Sequence, residues 1–324
     1  MSIIMTVAET AAWLRERDNY LILTHRRPDG DTVGCAGALA QGLRESGKAA
    51  YVLQNPEITP RYLRFVEDYH APPGYRPEHV IAVDTASYEI FPKNGDEYKG
   101  AVSLCIDHHQ SNALYAERSC IGGAYASCGE IIYEILTALS GGVSAKSAGQ
   151  LYAAVSTDTG CFAFANTTAN TLRVASLLIE AGAPHRELNR LLFRTKTHSR
   201  IKIEGAIYSG LEFHFGEAVA ISTITRALME SAGADEDDVD DIASLPGSVE
   251  GVKAGITIRE MPSPQTCKVS VRTTPSVDAH AICKHFGGGG HKMAAGFTQN
   301  KTIQEVKEEL LEMLKQFFPG ADCP

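Results

Sequence analysis

Tyr20–Thr24 (YLILT) runs straight into His25-Arg26-Arg27-Pro28-Asp29-Gly30-Asp31, and a helical pattern follows at once. Val33, Ala36, Leu39, Ala40 and Leu43 recur at helical spacing over Thr32–Ser46, so the stretch reads as strand, polar loop and helix. The same order repeats downstream. His79–Asp84 (HVIAVD) and Ala101–Asp107 (AVSLCID) are short apolar runs that end on carboxylates, and Ala49–Leu53 is another buried-type run. Helical patterns occupy Val7–Arg17, Ser127–Leu139, Ala145–Val155 and Thr168–Ala181. Strands alternating with helices predict an α/β fold with a parallel sheet covered on both faces.

The pattern changes after Pro184. Pro184–Tyr208 is helical in character and rich in Arg and Lys, and Leu211–Phe215, Ala218–Thr223, Gly251–Arg259 and Lys268–Arg272 are strand-like. A last helix is expected over Ile303–Phe317. The 324 residues therefore divide into an N-terminal domain (1–184), a helical connector (185–209) and a smaller α/β domain (210–324).

Net charge is −9, and Glu230–Asp241 holds seven acids and no base. That run is expected to be a solvated loop. The acidic balance argues against sequence-blind duplex binding on a basic surface, but not against a small anion in a pocket. No run approaches the ~18 apolar residues of a membrane span, and Met1–Tyr20 lacks a secretory pattern. Eight cysteines are scattered without a C-x-x-C. They read as reduced packing thiols of a cytoplasmic protein.

Chemistry concentrates where apolar runs end. YLILT leads to His25, Asp29 and Asp31; HVIAVD ends on Asp84; AVSLCI ends on Asp107-His108-His109; AAVSTDTG carries Asp158. Parallel sheets bind ligands beyond the carboxyl ends of their strands, so four strand ends could converge there. Carboxylates gathered in one crevice resist ionisation without a counter-charge, and divalent cations supply one. Oxygen and imidazole donors without thiolate suit Mn²⁺ or Mg²⁺, with zinc or iron also open, and the donors are too many for one ion. In Asp29-Gly30-Asp31, alternate residues of an extended loop would point toward different ions. The other histidines, His70, His79, His185, His198, His214, His280 and His285, lack such a context and read as surface or satisfied groups.

Phe286-Gly287-Gly288-Gly289-Gly290-His291-Lys292 is the second informative stretch. Glycines let backbone N–H groups face an anion, and the residues that follow are expected to start a helix whose N-terminus favours phosphate. His291 and Lys292 add donors, and Arg272 at a strand end offers a phosphate-matching fork.

These residues together resemble the DHH phosphoesterase family. His25-x-x-Pro28-Asp29-x-Asp31, Asp84, Asp107-His108-His109-x-x-Asn112 and Asp158-Thr159-Gly160 resemble its four motifs in order and spacing. Gly287–His291 with Ala294-Ala295-Gly296 resembles the glycine motif of the DHH-associated domain, and the two-domain length is most similar to the nanoRNase subfamily. The resemblance implies an active-site cleft between the domains and two divalent cations, Mn²⁺ ahead of Mg²⁺. His25, Asp29 and Asp84 would hold one cation; Asp31, Asp84, His108 and Asp158 the other, with Asp84 bridging. His109 would face the scissile phosphate. Arg272 with Gly288, Gly289, Gly290 and His291 would bind the substrate. Cys35 stands where Ser or Ala is expected, beside the cation site, and bears on oxidation rather than ligation.

The implied activity is hydrolysis of RNA oligonucleotides of about two to five residues to mononucleotides, and of 3′-phosphoadenosine 5′-phosphate (pAp) to AMP. No membrane partner is implied, and a homodimer is left open. Rival readings with the same residues are a cyclic or linear dinucleotide phosphodiesterase and a longer-strand exonuclease. A manganese pyrophosphatase would lack the glycine motif, and a non-catalytic nucleotide-binding protein would lack a cation ligand.

Overall fold

A computed structural model describes residues 2–239, 241–263 and 265–319. It divides into two units, Met1–Thr195 and Lys196–Pro324. The division falls inside the segment 185–209.

The first unit runs β1 (Ile3–Ile4), α1 (Val7–Glu16), β2 (Tyr20–Leu23), α2 (Gly30–Glu45), β3 (Ala50–Val52), α3 (Pro60–Leu63), β4 (His79–Val83), β5 (Val102–Asp107), β6 (Arg118–Ile121), α4 (Cys128–Ser140), α5 (Ala145–Asp158), α6 (Ala169–Glu180) and α7 (His185–Asn189). The sheet order is β1-β6-β5-β4-β2-β3, and every pairing is parallel. Side chains alternate across it. Tyr20, Ile22, Ile81, Val83, Leu104 and Ile106 pack with α1, α2, α4 and α5 residues such as Leu14, Leu39, Ile132 and Leu151. Leu21, Leu23, Val80, Ala82 and Cys105 face the other way. That face is covered by Tyr51, Tyr75, Tyr88, Phe91 and Tyr115 from strand edges and loops rather than by long helices.

Strands β1 and β6 have no counterpart in the sequence reading. Two and four residues are too short to carry a period-2 signal.

The second unit runs α8 (His198–Ser209), β7 (Glu212–His214), β8 (Val219–Ile224), α9 (Arg226–Ala232), β9 (Ala254–Glu260), β10 (Cys267–Thr273), α10 (Ala279–His285), β11 (Gly289–His291), β12 (Ala294–Gln299) and α11 (Ile303–Leu314). Its sheet order is β11-β12-β10-β9-β8-β7, antiparallel except for β8 with β9. Ile256, Ile258, Val269 and Val271 pack with Ile282 of α10 and with Leu310 and Leu314 of α11. Ile224 turns to the opposite face, where it meets Ile203 and Ile207 of α8.

Two expectations are corrected here. No helix starts after the glycine run; Gly289–His291 and Ala294–Gln299 form an antiparallel hairpin. With no apolar period after Gly290, a three-residue strand and a helix start looked alike. The acidic run is not all solvated, because Asp238 is buried and accepts from the Thr197 hydroxyl; Asp240 lies outside the described residues. Seven cysteines are free, and all but Cys161 are buried. Cys323 lies outside the described residues.

Candidate functional site

The turn after β2 is tied down before it reaches the helix. The Asn55 amide donates to His25 O at 2.9 Å, and His25 Nδ1 lies 2.8 Å from Arg26 O. With its proton on Nδ1, His25 directs Nε2 away from the backbone. Helix α2 then begins one residue earlier than Asp31. Asp29 is its N-cap, accepting from Thr32 N at 3.0 Å, and Asp31 sits in the first turn. The pair is therefore divided by a cap and a helical turn, not by an extended loop.

Asp31 is 1 % exposed. Its oxygens accept from Cys128 N (2.8 Å) and Gly129 N (3.0 Å), the first two amides of α4, and from the Cys35 thiol (3.3 Å). Orphan amides of a helix start thus aim the carboxylate. Glycine lets α2 lie on α5: a Cβ at Gly34 would stand 2.5 Å from Gln150 O. That approach brings Asp31 toward Asp158, the last residue of α5. Asp158 is thus at a helix end, not at the strand end expected from the apolar run before it. Length separates the two readings, since α5 spans 14 residues.

Asp84 follows β4 in the left-handed region, φ 50°, which Asp tolerates better than most residues. Its Oδ2 accepts from the Thr32 hydroxyl at 2.6 Å. Its Oδ1 is buried with no hydrogen-bond partner among the described residues. His108 follows β5, with Nε2 3.6 Å from Asp84 Oδ1, 3.5 Å from Asp158 Oδ2 and 3.9 Å from Asp31 Oδ2. His25 Nε2 stands 3.9 Å from Asp29 Oδ1 and 4.0 Å from Asp84 Oδ2. These spacings are too long for hydrogen bonds and suit donors that share a cation. His25, Asp29 and Asp84 offer one set of ligand atoms within 4.8 Å of one another; Asp31, His108 and Asp158 offer a second. Asp84, His108 and His109 form a third such grouping.

The electrostatics show what the cluster lacks. Burial, then the charges of Asp158 and Asp29, pushes the Asp31 carboxyl well above the usual range. Burial and the neighbouring Asp31 and Asp29 do the same to Asp84, and burial with Asp29 raises Asp158 to about 7. Burial and His109 hold the His108 imidazole below its ordinary value, so it remains a neutral donor. A buried orphan oxygen, resisted ionisation and the neutral His108 imidazole all fit bound divalent cations.

Asp107 plays a different part. Despite burial, hydrogen bonds from His109 and Asn112 hold its carboxyl below the usual range. His109 Nδ1 lies 2.7 Å from Asp107 Oδ1, and the Asn112 amide donates to Asp107 Oδ2 at 2.6 Å. The Asp107 hydrogen bond raises the His109 pKa against the effect of burial. His25, Asp29, Asp84, His108, His109 and Asp158 line one cavity of about 340 Å³ together with Arg26, Arg27 and Ile90.

In the second unit, pairing puts His291 opposite Ala294, Ala294 opposite Arg272, and Arg272 opposite Gly255. Paired residues share a face, so His291 and Arg272 flank a small alanine. Arg272 also lines a cavity of about 190 Å³ with Lys253, Ser248, Thr273 and Thr274. Gly288 approaches the backbone of β12 too closely for a side chain, Gly289 is open, and Gly290 has φ 138°. His280 is satisfied by Gly290 O at 2.9 Å, so it anchors the glycine segment. Thr32, Asp107 and Lys253 escaped the sequence reading as supports; Thr32 donates to Asp84, 52 residues away in the chain, whereas Asp107 accepts from His109 and Asn112 within its own motif.

Residues 19–155 match the DHH family N-terminal domain, and residues 216–319 match the DHHA1 domain. The chain is 34 % identical over 300 residues to the bifunctional oligoribonuclease and PAP phosphatase NrnA of Thermus thermophilus, covering 91 % of this chain and 89 % of that protein. It is 28 % identical over 285 residues to the protein of the same name from Bacillus subtilis, covering 86 % and 88 %. Among solved structures, an exopolyphosphatase-related protein from Bacteroides fragilis superposes with a TM-score of 0.85 at 19 % identity, covering 97 % and 96 %. An exonuclease RecJ bound to manganese superposes with a TM-score of 0.51 at 14 % identity, covering 99 % and 96 %. No helix among the described residues is long and apolar enough to cross a membrane.

Proposed function

The chain belongs to the DHH phosphoesterase family, and from that premise we propose a two-cation phosphoesterase that hydrolyses short oligoribonucleotides to mononucleotides and pAp to AMP. One observation carries the reading: the donor sets His25, Asp29, Asp84 and Asp31, His108, Asp158 are joined by Asp84 Oδ1, which lies 3.6 Å from His108 Nε2 and is buried without a hydrogen-bond partner among the described residues. The names of the Thermus and Bacillus relatives support the substrate class.

In this reading His25, Asp29 and Asp84 hold one cation, and Asp31, Asp84, His108 and Asp158 the other. Oxygen and imidazole donors favour Mn²⁺, with Mg²⁺ the alternative. When bound, such cations offset phosphoryl charge and lower the pKa of water. His109 stands at the substrate rather than on a cation. Asp107 accepts from its Nδ1, so Nε2 is free to hold a proton for the leaving oxygen. Arg272, Gly288, Gly289, Gly290 and His291 bind the substrate's other phosphate or base. Buried reduced thiols, among them Cys35 against Asp31, support a cytoplasmic setting.

The test is product analysis with Mn²⁺ on RNAs of two to about twenty-four nucleotides, beside pAp, a cyclic dinucleotide and pyrophosphate. Release of mononucleotides from the shortest RNAs and of AMP from pAp is expected. Preferred cleavage of the cyclic dinucleotide, of pyrophosphate or of the longest strands would replace this assignment with the corresponding rival.

A further inference from the structure

The cavity that holds the acidic and imidazole cluster also has two arginines at its wall, Arg26 and Arg27. Both are exposed, and among the described residues neither has an ion-pair partner, although Asp29, Asp84 and Asp158 line the same cavity. Their backbone is held firmly. Arg26 N–H donates to Ile90 O at 2.6 Å, and the Arg26 carbonyl faces His25 Nδ1 at 2.8 Å. Arg27 adopts φ 50°, a left-handed conformation uncommon for a long side chain. Two unpaired guanidinium groups therefore start from fixed points on the rim.

Charge accounting gives them a task. Four carboxylates, Asp29, Asp31, Asp84 and Asp158, carry −4 when ionised, and two divalent cations carry +4. The loaded centre has no formal surplus to meet a second phosphate. We propose that Arg26 and Arg27 bind the phosphate adjacent to the one being cut, which leaves the base to Arg272, His291 and the glycines, and so select substrates that carry two phosphates over single phosphodiesters. The planar fork of each guanidinium suits a phosphate bidentately. This assignment rests on the phosphoesterase reading above and names a recognition element within that site.

The experiment compares wild type with Arg26→Gln, Arg27→Asn and the double variant, all loaded with Mn²⁺. Asn tolerates the left-handed conformation at position 27, so the backbone is preserved while the charge is lost. Initial rates are measured on pAp, with two phosphates, and on bis(p-nitrophenyl) phosphate, with one, at several ionic strengths. Melting curves report the fold. A charge-assisted contact strengthens binding by about 10- to 100-fold. KM for pAp should rise by about that factor in the double variant and by much less for the nitrophenyl ester. Wild type supplies a second measurement: its KM for pAp should climb with salt more steeply than its KM for the ester, and the variants should flatten that slope. An equal change on both substrates, no change on pAp, or a salt slope that is the same for both would overturn the assignment. Failure of wild type to cleave either compound would instead overturn the phosphoesterase reading, and this inference with it.

Discussion

Replacing Asp158 by Asn should make the cation-free protein more stable and the cation-loaded protein less so. The Asp158 side chain is 28 % exposed, at the end of α5 and facing His108. Its carboxyl is raised from the ordinary 3.8 to about 7, first by burial and then by Asp29. The folded value lies above the unfolded one, so the group favours the fold below pH 3.8, and that contribution is lost as pH rises through about 7. A shift of this size corresponds to about 4 kcal/mol at most, and partial solvent screening makes about 2–4 kcal/mol the working range at pH 8. The first unit ends at Thr195, and domains of this size move by ~2–4 °C per kcal/mol, so Asp158→Asn should melt roughly 5–15 °C higher in EDTA at pH 8. The gain should vanish toward pH 4. With Mn²⁺ the order should reverse, because the variant has lost a ligand and wild type gains from binding. Thermal melts of both proteins at pH 4.5 and 8, each with EDTA and with Mn²⁺, check the crossover. A variant that melts lower than wild type in EDTA at pH 8 would refute the reasoning, as would equal stabilisation of both by Mn²⁺.

Asp84→Asn should abolish hydrolysis of every substrate with the fold retained, and titration calorimetry should show weakened Mn²⁺ binding, because the shared carboxylate is gone. His109→Ala should keep cation binding and lose a factor on the order of 10²–10⁴ in kcat; loss of a cation by calorimetry would exchange the roles of His108 and His109. Asp107 raises the His109 pKa above the ordinary 6.5, so Asp107→Asn should move the alkaline limb of the rate profile to lower pH, read from kcat against pH. Gly34→Ala should destabilise by about 1–3 kcal/mol in a denaturant melt, since the added methyl meets the Gln150 carbonyl at 2.5 Å and must spread α2 from α5. Arg272→Ala should raise KM for pAp and for a dinucleotide far more than for a nitrophenyl ester, measured side by side.

The first sheet was legible because β2, β4 and β5 are apolar runs that end on chemistry-bearing residues. The candidate cation ligands were legible for the same reason: His25, Asp84 and His108 each follow a strand within a residue or two. Asp158 was found by its motif but counted among the strand ends, although the helical pattern over Ala145–Val155 led directly into it. Support around the site was hidden. Nothing local in Cys128-Gly129 announces that their amides hold Asp31, 97 and 98 residues away in the chain. The glycine segment misled in another way, since residues without side chains carry no pattern by which a hairpin differs from a helix start. The tyrosine cover over β2, β4 and β5 was equally unreadable, because its members are dispersed between positions 51 and 115.

The sheet order has a consequence for how the chain is made. Strand β1 is synthesised first, yet among the described residues its only partner is β6, with Ile3 opposite Arg118. At ~5–20 residues per second, the N-terminal strand waits on the order of ten seconds for the segment that completes its edge. The last of the clustered acids, Asp158, emerges later still. A nascent chain therefore holds His25, Asp29 and Asp84 before α5 exists, whereas the set of Asp31, His108 and Asp158 cannot form until α5 is made. Translation arrested between 140 and 158 would leave a finished sheet whose helical cover is incomplete, and such a fragment should be drawn to chaperones through exposed faces of α2 and α4.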